Sequence, residues 1–167
     1  MKKLIIFLSV FLFGFEIYSP DFKNNSFIPP IYTCDGKDIS FKVIIKNPPK
    51  NTKALAIIMQ DPNAPFGVFT HWILYNVNKN TRIIPKNLPK TPITPIGYQG
   101  INDFNKIGYN GPCPPLNQTH HYVITAIALN KNLKLPPNLT IKKFLDKIRP
   151  YVFATATYTG IYKRSKK

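Results

Sequence analysis

Along most of this chain apolar residues fall in short runs or at alternate positions, and only one stretch carries helical spacing. Runs rich in Val, Ile, Tyr and Thr cover residues 39–45, 54–59, 72–77 and 122–129, each bounded by Pro, Asn or Gly. That is the pattern of strands closed by turns. Residues 155–162 alternate Thr and Tyr with small or apolar residues, as a half-buried strand does. The helical stretch is 141–149, where Ile141, Phe144, Leu145 and Ile148 share one face. Thr140 stands at its capping position and Pro150 follows its end. Many short strands and one late helix predict a mainly β domain built from antiparallel sheets. Residues 86–115 are rich in Gly and Pro and show no strong period. A segment of that length inside a domain is expected to form functional loops.

The first residues follow a different rule. Met1, Lys2 and Lys3 precede the apolar run 4–13, and a small residue, Ser19, stands a few positions further on. This is the layout of a secretory signal peptide, and the run falls short of the roughly 20 residues that span a bilayer. We therefore expect residues 1–19 to be a signal peptide, with an uncleaved anchor as the alternative. Residues 20–167 are expected to form one domain, secreted or extracytoplasmic. Export would place Cys34 and Cys113 where a disulfide can form. Two separate buried thiols are the other choice, which spacing alone leaves open. Sequons occur at Asn24, Asn117 and Asn138, about as often as chance provides.

Composition narrows the function classes. Seventeen Pro argue against a helical bundle, and two Cys exclude a four-Cys zinc site. The formal charge of +16 comes from 20 Lys and only 3 Arg set against seven acids. Lys, Asn and Ile fill about a third of the chain, so much of the charge reflects the residue set of AT-rich codons. Nucleic-acid surfaces favour Arg for bidentate contacts, and no basic stripe here is interleaved with stacking aromatics. No nucleic-acid partner is expected. Peripheral contact with an anionic membrane stays open to so basic a chain.

Three polar groups stand out beside the predicted strands. His71, His120 and His121 are the only histidines, and adjacent strand residues point to opposite faces, so only one of the last two can share a pocket with His71. Asp61 closes the apolar run Leu55-Ala56-Ile57-Ile58-Met59, where a buried carboxylate must find partners. The loop Gly108-Tyr109-Asn110-Gly111-Pro112-Cys113-Pro114-Pro115 combines flexible glycines with stiffening prolines. Backbone donors exposed there, next to histidines, would make an anion-binding concavity. A stiff surface loop beside satisfied core histidines is the simpler alternative.

These residues resemble the phosphatidylethanolamine-binding protein family, closest to its bacterial and archaeal, Raf-kinase-inhibitor-like branch. The segments that carry the likeness are Ile28-Pro29-Pro30-Ile31-Tyr32-Thr33-Cys34-Asp35-Gly36, Asp61-Pro62-Asn63-Ala64-Pro65, His71-Trp72, Asn102-Asp103-Phe104, Gly108 through Pro115, and His120-His121-Tyr122. They come in the family's order over nearly all of the chain after the leader. The resemblance implies a β-sandwich with a small pocket at one end that binds phosphate, acetate or a phospholipid head group. Carried across, the ligand-binding residues would be Asp61, Asn63, Pro65, His71, Gly111, His120 and Tyr122. His121 stands where the family usually has Arg and should face outward. Two departures are visible. Asn63 replaces the second acid of the family's Asp-Pro-Asp-Ala-Pro, and Tyr151 stands where a His usually follows the helix. Losing a carboxylate should ease anion binding and weaken binding of a cationic amine.

The resulting expectation is non-enzymatic binding of a small anionic ligand, with no cofactor, no metal and no catalytic residue. Catalysis would need Asp61 and two histidines around a metal, or Cys113 as a nucleophile with His120 as base. A third class is regulation of a protease or kinase by surface contact, which the resemblance allows.

Overall fold

The computed structural model describes residues 14–165, so the apolar run expected to lead export lies outside the described residues. The remainder is mainly β, as expected. A large sheet has the order β2-β9-β8-β4-β5-β7, formed by β2 (Ser26–Phe27), β4 (Ala54–Asp61), β5 (Phe69–Asn78), β7 (Tyr98–Gln99), β8 (Thr119–Leu129) and β9 (Val152–Lys163). A small sheet of β1 (Glu16–Tyr18), β3 (Val43–Lys46) and β6 (Ile83–Ile84) packs against it.

The unbroken apolar run in β4 reflects burial on two faces rather than one. Leu55, Ile57 and Met59 join Ile17, Val43, Ile45 and Ile84 of the small sheet in one core. Ala54, Ala56 and Ile58 face the other way and join Phe144 and Ile148 in a second. Those two residues belong to α1 (Ile141–Ile148), whose Thr140 side chain accepts from Lys143 N–H. Small Ala54 and Ala56 on β4 let the helix lie close, and Phe144 stacks on Tyr75 with ring centroids 5.2 Å apart.

The structure differs from the sequence reading in places that have physical causes. The strand expected over 39–45 begins only at Val43. Before it, Ser40 Oγ accepts from Leu88 N–H and the Lys42 N–H goes to the Asp21 carboxylate, so backbone groups are spent on loops instead of a ladder. The strands β1, β2, β6 and β7 have two or three residues each, too few to show alternation. One pairing, β2 with β9, is parallel. Strand β1 falls within the expected leader. Ile17 is buried and pairs with Ile45, so cleavage after Ser19 would remove one strand of the small sheet. The high Asn content also gains a structural role, since seven of the sixteen Asn adopt positive φ, a conformation Asn tolerates better than most residues.

Truncating Phe144 to Ala should cost about 3–5 kcal/mol of unfolding free energy, measured by urea denaturation. A loss below about 1 kcal/mol would contradict the packing of α1 on the outer face of the large sheet.

Candidate functional site

The C-terminal end of β4 and the N-terminal ends of β5 and β8 meet at one end of the large sheet. Each supplies a polar side chain. Asp61 is the last residue of β4 and His120 the second of β8. His71 arrives by an irregularity. On β5, Trp72 pairs with Met59 and Thr70 with Gln60, so the register skips His71. A bulge of this kind re-aims a side chain that regular alternation would direct elsewhere. The His71 ring lies 5.2 Å from that of Tyr122, edge to face.

Asp61 and His120 are both almost fully buried and form a pair, Nδ1 to Oδ2 at 2.7 Å. The carboxylate only accepts, so His120 Nδ1 carries the hydrogen. Asp61 Oδ1 accepts from Asn63 N–H at 2.8 Å, and His120 Nε2 lies 3.1 Å from Gln118 Oε1. His71 Nδ1 faces two backbone carbonyls, Asn110 at 2.8 Å and Gly111 at 3.1 Å. Carbonyls accept only, which fixes its hydrogen on Nδ1 and leaves Nε2 as the second ring position. Burial holds the His71 pKa below the usual histidine value, against the opposing pull of the Asn110 carbonyl and the Asp61 charge. The Tyr122 hydroxyl is buried without a hydrogen-bond partner. Burial first, then the Asp61 charge, push its pKa far up, so it stays a protonated phenol.

The two carbonyls are held in turn by Asp38. Its carboxylate accepts from Gly111 N–H at 2.6 Å, from the Asn110 side-chain amide at 2.8 Å and from Lys90 Nζ at 2.7 Å. Asn102 donates to the Gly108 carbonyl and to Asn110 Oδ1, both at 2.9 Å. Cys34 and Cys113 are joined in a disulfide that ties this loop to the segment after Pro30–Tyr32. It takes Cys113 out of consideration as a nucleophile.

Above these groups opens a cavity of about 530 Å³, within the range of small-molecule sites. Asp61, His71, His120, Asp103 and Arg164 line its polar part. Pro65, Phe66, Val68, Phe69 and Phe104 line the apolar part, with Phe66 almost wholly exposed. Of the residues expected from sequence, Asp61, Pro65, His71 and His120 therefore meet at the cavity. Tyr122 packs behind His71, and His121 is exposed on the opposite side of β8.

Two expected residues stand elsewhere. Asn63 does not line the cavity, because its Oδ1 accepts from the His121 backbone N–H at 2.8 Å. Gly111 offers no N–H to a ligand, since Asp38 already takes it. A glycine is needed there because a Cβ would collide with the Tyr32 carbonyl. Tyr151 packs among the residues around the helix, away from the cavity. Asp38, Asp103, Phe104 and Arg164 were missed as functional residues. One signal was available. With only seven acids in the chain, Asp35, Asp38, Asp61 and Asp103 all make hydrogen bonds around this end.

The profile of the phosphatidylethanolamine-binding protein family matches residues 18–163. The chain belongs to that family. A UPF0098 protein of Aquifex aeolicus is 42% identical over 169 residues, covering 98% of this chain and 99% of the relative. A UPF0098 protein of Pyrococcus horikoshii is 43% identical, covering 86% of this chain and 74% of its own length. Among solved structures, the phosphatidylethanolamine-binding protein homologue CT736 of Chlamydia trachomatis superposes with a TM-score of 0.82 at 29% identity, covering 90% of this chain and 97% of that one. Escherichia coli YbcL gives the same TM-score, 0.82, at 25% identity, with 89% of this chain and 98% of that one covered. In this member of the family the loop motifs frame the cavity, and among the described residues no group of three or more His, Cys, Asp or Glu is arranged to hold a metal.

Two outcomes follow from this geometry. Reducing the Cys34–Cys113 disulfide, 79 residues apart, should lower the unfolding free energy by about 4–5 kcal/mol in the chain-entropy model, read by denaturation with and without dithiothreitol. No change in midpoint would contradict it. His71, with its folded pKa below 6.5, contributes stability that is complete above the unfolded value and is lost as pH falls through the folded one. The native protein should therefore lose more stability between pH 7 and 5 than His71→Gln, measured by urea unfolding. Equal losses would contradict a neutral buried His71.

Proposed function

We propose that this protein binds, without catalysis, a small acidic ligand such as phosphate or a phospholipid head group in the cavity at the end of the sandwich. The observation that supports the reading best is the buried Asp61–His120 pair beside His71 at the base of that cavity. Three almost fully buried polar side chains there cost stability unless they serve a ligand or a firm hydrogen-bond network. Asp61 orients the His120 ring, and Arg164 adds charge at the wall. The apolar mouth around Phe66, Phe69 and Phe104 suits the organic part of such a ligand. Export through the leader is part of the same proposal, and a disulfide with Cys34 exposed agrees with an oxidising compartment.

A second reading, regulation of a protease or kinase by contact, is favoured by one observation. Phe66 is 97% exposed on the loop at the cavity mouth, as an anchor for a partner would be. Calorimetry with inorganic phosphate and phosphoethanolamine separates the two. The first reading expects saturable binding that His120→Ala weakens by about tenfold to a hundredfold, the ~1.5–3 kcal/mol of a hydrogen bond to a charged group. Phe66→Ala should leave phosphate affinity unchanged. Absence of saturable binding of either compound would rule the first reading out.

A further inference from the structure

Around His71 the cavity is poor in free side-chain donors for a site that takes an acid. Asp61 and Asp103 bring two carboxylates to its lining. His71 spends its only hydrogen on the Asn110 and Gly111 carbonyls, so its Nε2 offers a lone pair. His120 bonds Asp61 and Gln118, and the Tyr122 hydroxyl lies behind His71, outside the lining. Arg164 gives its Nε to Asp35 at 3.2 Å and keeps its terminal N–H groups. A fully deprotonated dianion placed against His71 would meet the Nε2 lone pair and the Asp61 carboxylate where it needs N–H groups.

Resting on the binding reading above, we infer that the cavity takes its acid together with one proton, held between a ligand oxygen and His71 Nε2. The class recognised is then a terminal phosphoryl group, which still carries an O–H near neutral pH, in preference to sulfate, which does not. The proton count is simple. The O–H of the monoanion donates to Nε2, or the proton passes to Nε2 and leaves an imidazolium beside the dianion. Either way the complex holds one proton more than the free dianion, drawn from the buffer.

Every charged neighbour of His71 bears on this balance. Asp61 on β4 and Asp38 behind Gly111 favour the protonated ring, and burial opposes it. His120 and Tyr122 face it from β8, Asp103 and Arg164 share the cavity wall, and the rings of Phe69 and Phe104 pack at 5.3 and 5.1 Å. Without ligand, burial prevails. An arriving anion adds negative charge beside the ring and tips the balance toward the proton.

The test is calorimetry of the full chain with inorganic phosphate and with sulfate between pH 6 and 8.5, in two buffers of different ionisation heat. We expect uptake of about one proton at pH 8 and a phosphate affinity falling about tenfold per pH unit above the second phosphate ionisation. Sulfate should bind at least about tenfold more weakly at pH 7. Nitrogen-15 spectra of the three histidines should show His71 protonated at Nδ1 and bare at Nε2 before phosphate is added, with the Nε2 signal moving on binding. Equal affinity for both anions without proton uptake, or a free His71 carrying its hydrogen on Nε2, would overturn the inference and leave the binding reading standing. Failure of both anions to bind at any pH would overturn that reading itself.

Discussion

Two backbone carbonyls set the chemistry of this site. Those of Asn110 and Gly111 converge on His71 Nδ1, and they decide which ring nitrogen is protonated and which is left to the cavity. Holding carbonyls against a buried imidazole requires a rigid loop. Asp38 supplies it by gathering the Gly111 N–H, the Asn110 amide and Lys90 on one carboxylate, from a left-handed turn at φ 54°. The absent Cβ of Gly111 lets the loop pass the Tyr32 carbonyl, and the disulfide closes the same contact covalently. Gly111 thus matters for where it lets the chain run, and its backbone N–H is taken by Asp38.

The sheet carries the other half of the constraint. Because β4 is buried on both faces, its polar residues, Gln60 and Asp61, stand together at its end. The pair with His120 then joins β4 to β8 where the apolar ladder stops. Charge is distributed to match. The excess of Lys that makes the chain basic is spread over the surface, while four of the seven acids make hydrogen bonds around the cavity end. The net charge attracts anions at long range, whereas the cavity lining sets Asp61 and Asp103 beside Arg164.

Much of the fold was legible because its long strands have strong patterns. The runs at 54–59, 72–77, 122–129 and 155–162 are all strands, each longer than its run by two to four residues, and the helix was found with its cap. Alternation correctly separated His120 from exposed His121. What periodicity could not show were strands of two or three residues and the bulge at His71, which depends on register with a partner strand. Asp38 escaped for a related reason, since its partners lie 52 to 73 residues away and nothing local marks it. Asn63 was assigned to the ligand by motif position, whereas its amide oxygen is taken by the neighbouring strand.

A crystal structure of the protein grown with inorganic phosphate tests the account most directly. Phosphate should sit between His71 and His120, with one oxygen within about 3 Å of His71 Nε2 and the Asn110 and Gly111 carbonyls still on Nδ1. Phosphate bound only at surface lysines, with the cavity empty or its histidines turned to other partners, would contradict it.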